Sequence, residues 1–323
     1  MKPTGTSFRE FKNGDTRLRV AIAGSGPLIL FVHGWPEIWY AWRHQLAHFA
    51  AAGYTVAALD VRGYGGSSKP HAIDAYTLKK LASDVLTVAR ALSDEPVILV
   101  GHDWGAPIVY TTALLAPKAI RAVAGLSVPF VPPSEAMALD TFRMMYAGRF
   151  FYQLYFQKEG PIEAELEADI AAALRKIYFG ASGDATGTVF GDKAEDACFL
   201  EGMPDPEQLP AWLSPEDIEV CATAFRAGGF RGPINRYRAQ PQDHQELAHL
   251  RGAHLTMPTC FIAGERDLVR GFIPGLDLFA TPIVQAACDD FRTASVFPGI
   301  GHWVQQEAPE QTNAALATFF ASL

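Results

Sequence analysis

The sequence predicts an α/β protein: a mostly parallel, doubly wound sheet with an inserted helical cap. Three observations carry this prediction. Short apolar runs alternate with helical patterns over residues 1–132, the signature of strands joined by crossover helices. The alternation stops over 133–250, where the pattern is helical, and it resumes over 251–323. The two outer segments, 1–132 and 251–323, are therefore expected to build one core, and the middle segment a cap.

Apolar runs at Leu28–Val32, Thr55–Leu59, 97–100, 122–126, 258–263 and 293–297 read as strands buried on both faces, as in a parallel sheet. Helices expected at Leu78–Leu92 and 106–115 connect the early strands. Within the cap, helices are expected over 137–157, 162–178 and 215–227, the last opened by Ser214 as N-cap and Pro215 in the first turn. Residues 180–210 are rich in Gly, Pro and acidic side chains and read as an irregular loop. At about thirty residues it exceeds an ordinary connection, which suggests a lid or binding role. The chain carries no internal repeat.

Composition narrows the partners. Of 323 residues, 49% are hydrophobic and 19% charged, enough for a sizeable core. The net charge of −8, from 27 basic and 35 acidic side chains, argues against nucleic acid and anionic membrane surfaces. Cys198, Cys221, Cys260 and Cys288 form no C-x-x-C pair. Neither a disulfide framework nor a metal knuckle is expected, and a cytoplasmic location fits. Residues 1–15 are polar and lack the apolar core of a signal peptide. No apolar run approaches the ~18 residues of a membrane span. A monomer or a homodimer is expected.

Directly after the run at 97–100 the chain reads G-H-D-W-G at 101–105. A small-x-nucleophile-x-small string between strand and helix is the nucleophile elbow of α/β-hydrolases. The residue at the tip is Asp103 rather than Ser. A carboxylate attacks saturated carbon and becomes an ester itself, so the expected substrate carries an electrophilic sp³ carbon, as in an epoxide or an alkyl halide.

Four further features fit such a site. H-G-W-P-E at 33–37 follows the strand Leu28–Val32, where the backbone N–H of Trp35 is expected to form an oxyanion hole with that of Trp104. Pro36 is expected to stiffen this loop. His302, in G-I-G-H-W beyond the last strand, has the chain order of a general base. His33 and His102 are expected to shape backbone turns instead. Asp267, in A-G-E-R-D-L-V, is expected to orient His302, with Glu265 as a nearby rival and Asp289 and Asp290 as weaker ones. Opening an epoxide also needs a proton donor, and a tyrosine with a pKa of about 10 suits that task. The cap offers Tyr152, Tyr155 and Tyr237. Helical periodicity does not choose between Tyr152 and Tyr155. Phe130, Met144, Met145, Phe199, Met203 and Trp303 are expected to line an apolar pocket.

The strings H-G-W-P-E-I-W-Y-A-W-R, D-V-R-G-Y-G-G-S-S, G-H-D-W-G, F-Y-Q-L-Y-F-Q, F-R-G-P-I-N-R-Y-R and G-H-W resemble the α/β-hydrolase-fold epoxide hydrolases of the soluble type, bacterial members included. The similarity runs from about Phe8 to Phe320, cap included. The elbow alone is shared with haloalkane dehalogenases, whereas the two cap strings are more specific. The resemblance implies that Tyr152 and Tyr237 hold the epoxide oxygen, that Asp103 is the nucleophile, and that His302 with Asp267 activates water. It implies no metal and no organic cofactor, and a small apolar epoxide and water as the reactants. The sequence departs from the commoner pattern at Arg236, where Trp is frequent, and over 239–251. A haloalkane dehalogenase reusing Asp103, His302 and Asp267 is the nearest alternative. Fluoroacetate dehalogenases place Arg where Trp104 stands. A non-catalytic binding module on the same fold is the alternative of a different class.

Overall fold

The computed structural model of the protein describes residues 5–185 and 193–323. The six apolar runs all form strands, and two further strands precede them. The eight are β1 (Ser7–Asn13), β2 (Thr16–Gly24), β3 (Leu28–Val32), β4 (Thr55–Leu59), β5 (Val97–His102), β6 (Ile120–Leu126), β7 (Leu255–Gly264) and β8 (Cys288–Phe297). They make one sheet in the order β1-β2-β4-β3-β5-β6-β7-β8. From β4 to β8 every pairing is parallel. The β1–β2 hairpin is antiparallel and joins β4 antiparallel. Only Phe11 of β1 is buried. A one-sided edge strand carrying Arg9, Glu10 and Lys12 has no apolar run to betray it, and such charges protect an exposed edge from further pairing.

Helices α1 (Arg43–Ala51), α2 (Leu78–Leu92) and α3 (Gly105–Leu115) pack against the sheet. In α2, Leu81, Val85 and Val88 form the buried stripe, and the Thr77 hydroxyl accepts from the Lys80 N–H as its N-cap.

Between β6 and β7 the chain contains helices and loops but no strand among the described residues. The helices are α4 (Ala138–Met145), α5 (Tyr152–Tyr155), α6 (Pro161–Ala168), α7 (Ile170–Gly180), α8 (Pro215–Gly228), α9 (Arg231–Arg238) and α10 (Gln240–Glu246). The single helix expected over 137–157 is broken. Gly148 turns the chain at φ 73°, and Phe150 and Phe151 then fold inward and are both buried. The helix expected over 162–178 is two. Asp169 adopts extended backbone and caps α7 by accepting from the Ala172 N–H. The α8 start matches expectation, with Ser214 and Asp217 in a reciprocal capping box. Helices α9 and α10 were not anticipated, because they are polar by sequence. Their buried face is held by ion pairs rather than by an apolar stripe: Arg238 reaches Glu163 on α6, and Arg236 reaches Asp243. Residues 181–185 and 193–210 contain no helix or strand, and 186–192 of the expected loop lie outside the described residues.

The chain ends with α11 (Thr281–Val284), α12 (Val304–Glu307) and α13 (Pro309–Ala321). Among the described residues no helix is long and apolar enough to cross a membrane, and all four cysteines are free.

Candidate active site

In this topology β4 lies on one side of β3 and β5 on the other, so the connections diverge at β3 and β5. The crevice beyond the C-terminal ends of the strands at such a switch point is where open α/β sheets bind ligands. The loop after β3 carries Gly34 and Trp35. Asp103 follows β5, Asp267 follows β7 and His302 follows β8.

Asp103 sits at φ 50°, a left-handed conformation unusual for a residue with a side chain. The strain is sustained by tight packing beneath it. A Cβ on Gly105 would strike the Val32 carbonyl, so only glycine lets α3 approach β3 this closely. Gly34 faces the Asp103 carboxylate in the same way, and a Cβ there would collide with it. The Trp35 N–H donates to Asp103 Oδ1 at 2.7 Å, and the Trp35–Pro36 peptide is cis. Trp104, the residue before α3, stands at the helix N-terminus, where backbone N–H groups lack helical partners.

His302 Nε2 lies 3.5 Å from Asp103 Oδ2. Its Nδ1 lies 3.0 and 3.1 Å from the two oxygens of buried Asp267. The rivals are elsewhere. Glu265 accepts from the Gly299 N–H, Asp289 pairs with His254, and Asp290 with Arg292. Burial would push the Asp103 carboxyl up, but the hydrogen bond and charge of His302, then the charge of His102 and the Trp35 N–H, hold it below the usual carboxylate range. Burial would likewise lower His302, yet the Asp267 and Asp103 carboxylates outweigh it and raise the imidazole well above its ordinary value. Both shifts favour a carboxylate beside an imidazolium as the resting pair.

Tyr152 and Tyr237 face this pair from the cap, their rings 5.8 Å apart and nearly perpendicular. The geometry separates Tyr152 from Tyr155, whose hydroxyl donates to Glu165 at 3.1 Å. Two cavities meet at the site. One, of about 460 Å³, includes Asp103, Trp104 and Tyr152 in its wall. The other, of about 30 Å³, includes Asp103, His302, Tyr152 and Tyr237.

The family model described as the alpha/beta hydrolase fold matches residues 27–309. Epoxide hydrolase A of Mycobacterium tuberculosis is 37% identical, over 95% of each chain. Epoxide hydrolase 3 of Siraitia grosvenorii is 33% identical, over 94% of each. The chain belongs to the epoxide hydrolases of the α/β-hydrolase fold. Among solved structures of this family, an epoxide hydrolase from an endophytic Streptomyces superposes with a TM-score of 0.92 at 39% identity, covering 98% of this chain and 96% of that one. Epoxide Hydrolase A from Mycobacterium thermoresistibile gives 0.90 at 39% identity, covering 97% and 98%.

Against the sequence expectation, the site of this epoxide hydrolase differs in three respects. Met144 is 74% exposed on the outer face of α4, and Met145 lines neither cavity; the break at Gly148 directs the chain inward only from Phe150. Phe130 does line the larger cavity, while Phe199, Met203 and Trp303 line the smaller. Second, the phenols are not near their ordinary pKa. Burial, then the Asp103 charge, raises Tyr152, although hydrogen bonds from Gln153 and Tyr237 oppose this. Burial, then Tyr152 and Asp103, raises Tyr237. Both therefore remain protonated donors. Third, the supporting shell was not foreseen. Gln153 Nε2 donates to the Tyr152 hydroxyl oxygen at 3.1 Å. Buried Glu37 accepts from Gln305 and Gln306 and pairs with His102 at 2.8 Å, and the far ring nitrogen of His102 meets the His302 carbonyl at 2.7 Å. His33 contacts the Gly34 carbonyl and the Val61 N–H. Both histidines thus hold backbone, as their flanking positions suggest. The Glu within H-G-W-P-E was the one sequence signal for this network.

Proposed function

We propose that this protein hydrolyses a small apolar epoxide to a vicinal diol through a covalent ester on Asp103. The observation that carries the reading is the junction of one carboxylate and two phenols in a single apolar cavity. A departing halide needs hydrogen-bond donors but no proton, so it makes no use of the protons that the paired phenols can give. An epoxide needs both attack at carbon and protonation at oxygen.

In this reading Tyr152 and Tyr237 donate to the epoxide oxygen while Asp103 Oδ2 attacks a ring carbon from the opposite face. Oδ1 stays under the Trp35 N–H. A carbon–oxygen bond of the strained ring breaks as the ester bond forms, and a phenol gives its proton to the alkoxide. The His302 imidazolium returns a proton to that phenol, so the histidine becomes neutral when it must act as a base. Esterification also cancels the Asp103 charge, one of the influences that raise His302. The neutral imidazole then takes a proton from water, and the resulting hydroxide adds to the Asp103 carbonyl. The Trp35 and Trp104 N–H groups stabilise the oxyanion, each contact worth about 3 kcal/mol. Collapse breaks the ester C–O bond, the leaving alkoxide takes the proton of the added hydroxyl, and the diol departs from a carboxylate beside the imidazolium. The net change is epoxide plus water to diol. A cytoplasmic location agrees with four free thiols.

The test is a single turnover with excess enzyme in ¹⁸O-water, where label should enter Asp103 rather than the diol. Direct labelling of the diol would rule out the ester. His302→Gln should accumulate the ester, seen as a mass increase equal to the substrate on the intact protein.

A further inference from the structure

The two cavities at Asp103 are very unequal, about 460 against about 30 Å³. Both include Asp103, Tyr152 and Val269 in their walls, so the reacting centre lies where they meet. An oxirane held between the carboxylate and the phenols can extend substituents into these two spaces. The smaller has room for about two water molecules, and His302 in its wall requires one of them there. Its far wall is an aromatic and aliphatic block. Phe199 is 1% exposed, with ring contacts at 5.0 Å to Phe156 and 5.8 Å to Trp35, and Met203 and Trp303 close the remainder. Packing of this kind yields to an added ring only with strain.

The larger cavity adds a charge constraint. Its described lining holds two carboxylates, Asp103 and Asp243, one imidazole, His244, and no Lys or Arg. Asp243 is already paired with Arg236. An anionic tail would meet two carboxylates and no Lys or Arg there.

From these observations we infer that the substrate is a neutral epoxide with one bulky apolar substituent and nothing larger than a methyl group on the other ring carbon. The inference rests on the epoxide reading above. The bulky group occupies the larger cavity, and the second ring carbon points toward the Phe199–Met203 wall. These two side chains are then specificity determinants that make no contact with the reacting atoms.

The experiment compares kcat/KM of the purified protein for styrene oxide, trans-β-methylstyrene oxide, trans-stilbene oxide and 4-carboxystyrene oxide. The first two should agree within about tenfold, with stilbene oxide lower than styrene oxide by at least about 100-fold and the carboxylate by at least about tenfold. Phe199→Ala and Met203→Ala should raise the stilbene-to-styrene ratio by about tenfold or more in at least one variant. Because the ratio is read within each variant, a general loss of folded protein does not mask it. Wild-type turnover of stilbene oxide within about tenfold of styrene oxide, or an unchanged ratio in both variants, would overturn the size limit. Equal turnover of the carboxylate would overturn the charge limit. Hydrolysis of none of the neutral epoxides would instead overturn the epoxide reading, and the inference with it.

Discussion

Removing the Tyr152 hydroxyl isolates the ring-opening step. The phenol is buried at the meeting point of the two cavities, with Tyr237 the second donor. A preorganised donor to a developing oxyanion in such a site is worth about 3 kcal/mol, and each 1.36 kcal/mol is tenfold in rate. Tyr152→Phe should therefore slow ester formation by about 10²-fold. Tyr237→Phe should act similarly. The double variant should lose less than the product of the two, because both donors serve one oxygen. Gln153 Nε2 loses its phenolic acceptor in Tyr152→Phe, a stability cost of about 1 kcal/mol that leaves the protein folded. Rapid mixing with excess enzyme, acid quench and intact-protein mass give the rates of ester appearance and decay separately. Ester formation within about threefold of wild type would refute the assignment. So would a decay rate slowed as much as formation, since the phenols have no role in hydrolysis beyond holding the product.

Three other perturbations probe the rest of the site. The His302 imidazole is raised by Asp267 and Asp103 against burial, so its titration in the free enzyme, followed by NMR, should lie above the kinetic pKa of ester breakdown, in which the Asp103 charge is gone. Equal values would contradict the proton accounting. Because the folded pKa exceeds the unfolded one, this ion pairing stabilises fully below about pH 6.5 and is lost as pH rises through the folded value. His302→Gln should thus cost most stability in acid, as denaturant titrations at several pH values can measure. Gly34→Ala would drive a methyl into the Asp103 carboxylate. Activity should fall by about 10²-fold with the circular dichroism unchanged; an active variant would show that the carboxylate position is not critical. Arg238→Ala leaves buried Glu163 without its cation. It should destabilise the protein to denaturant by about 3–5 kcal/mol and weaken activity through α5 and α9, which carry Tyr152 and Tyr237.

Much of the core was legible because parallel strands buried on both faces write continuous apolar runs, as Leu28–Val32 and Thr55–Leu59 do. The β1–β2 hairpin was not, because an edge strand with one buried residue leaves no such run. The cap was harder. Phe150, Phe151 and Phe156 are all buried, yet they lie on a broken segment, so helical periodicity misjudged its length and sent Met144 and Met145 inward. Helices α9 and α10 bury arginines against carboxylates, a pattern that reads as surface in any hydropathy profile.

The sequence by itself determined the chemistry available: a carboxylate at an elbow, a histidine and an aspartate in the expected chain order, and tyrosines in the cap. Residue types and order are covalent facts and need no packing to be read. Tertiary structure decided what depends on distance and enclosure. It brought Tyr152 rather than Tyr155 to the nucleophile. It paired Asp267 rather than Glu265 with His302, and it raised both phenols by burial. It also divided the space around Asp103 into one large and one very small cavity, whose walls come from segments far apart in the chain.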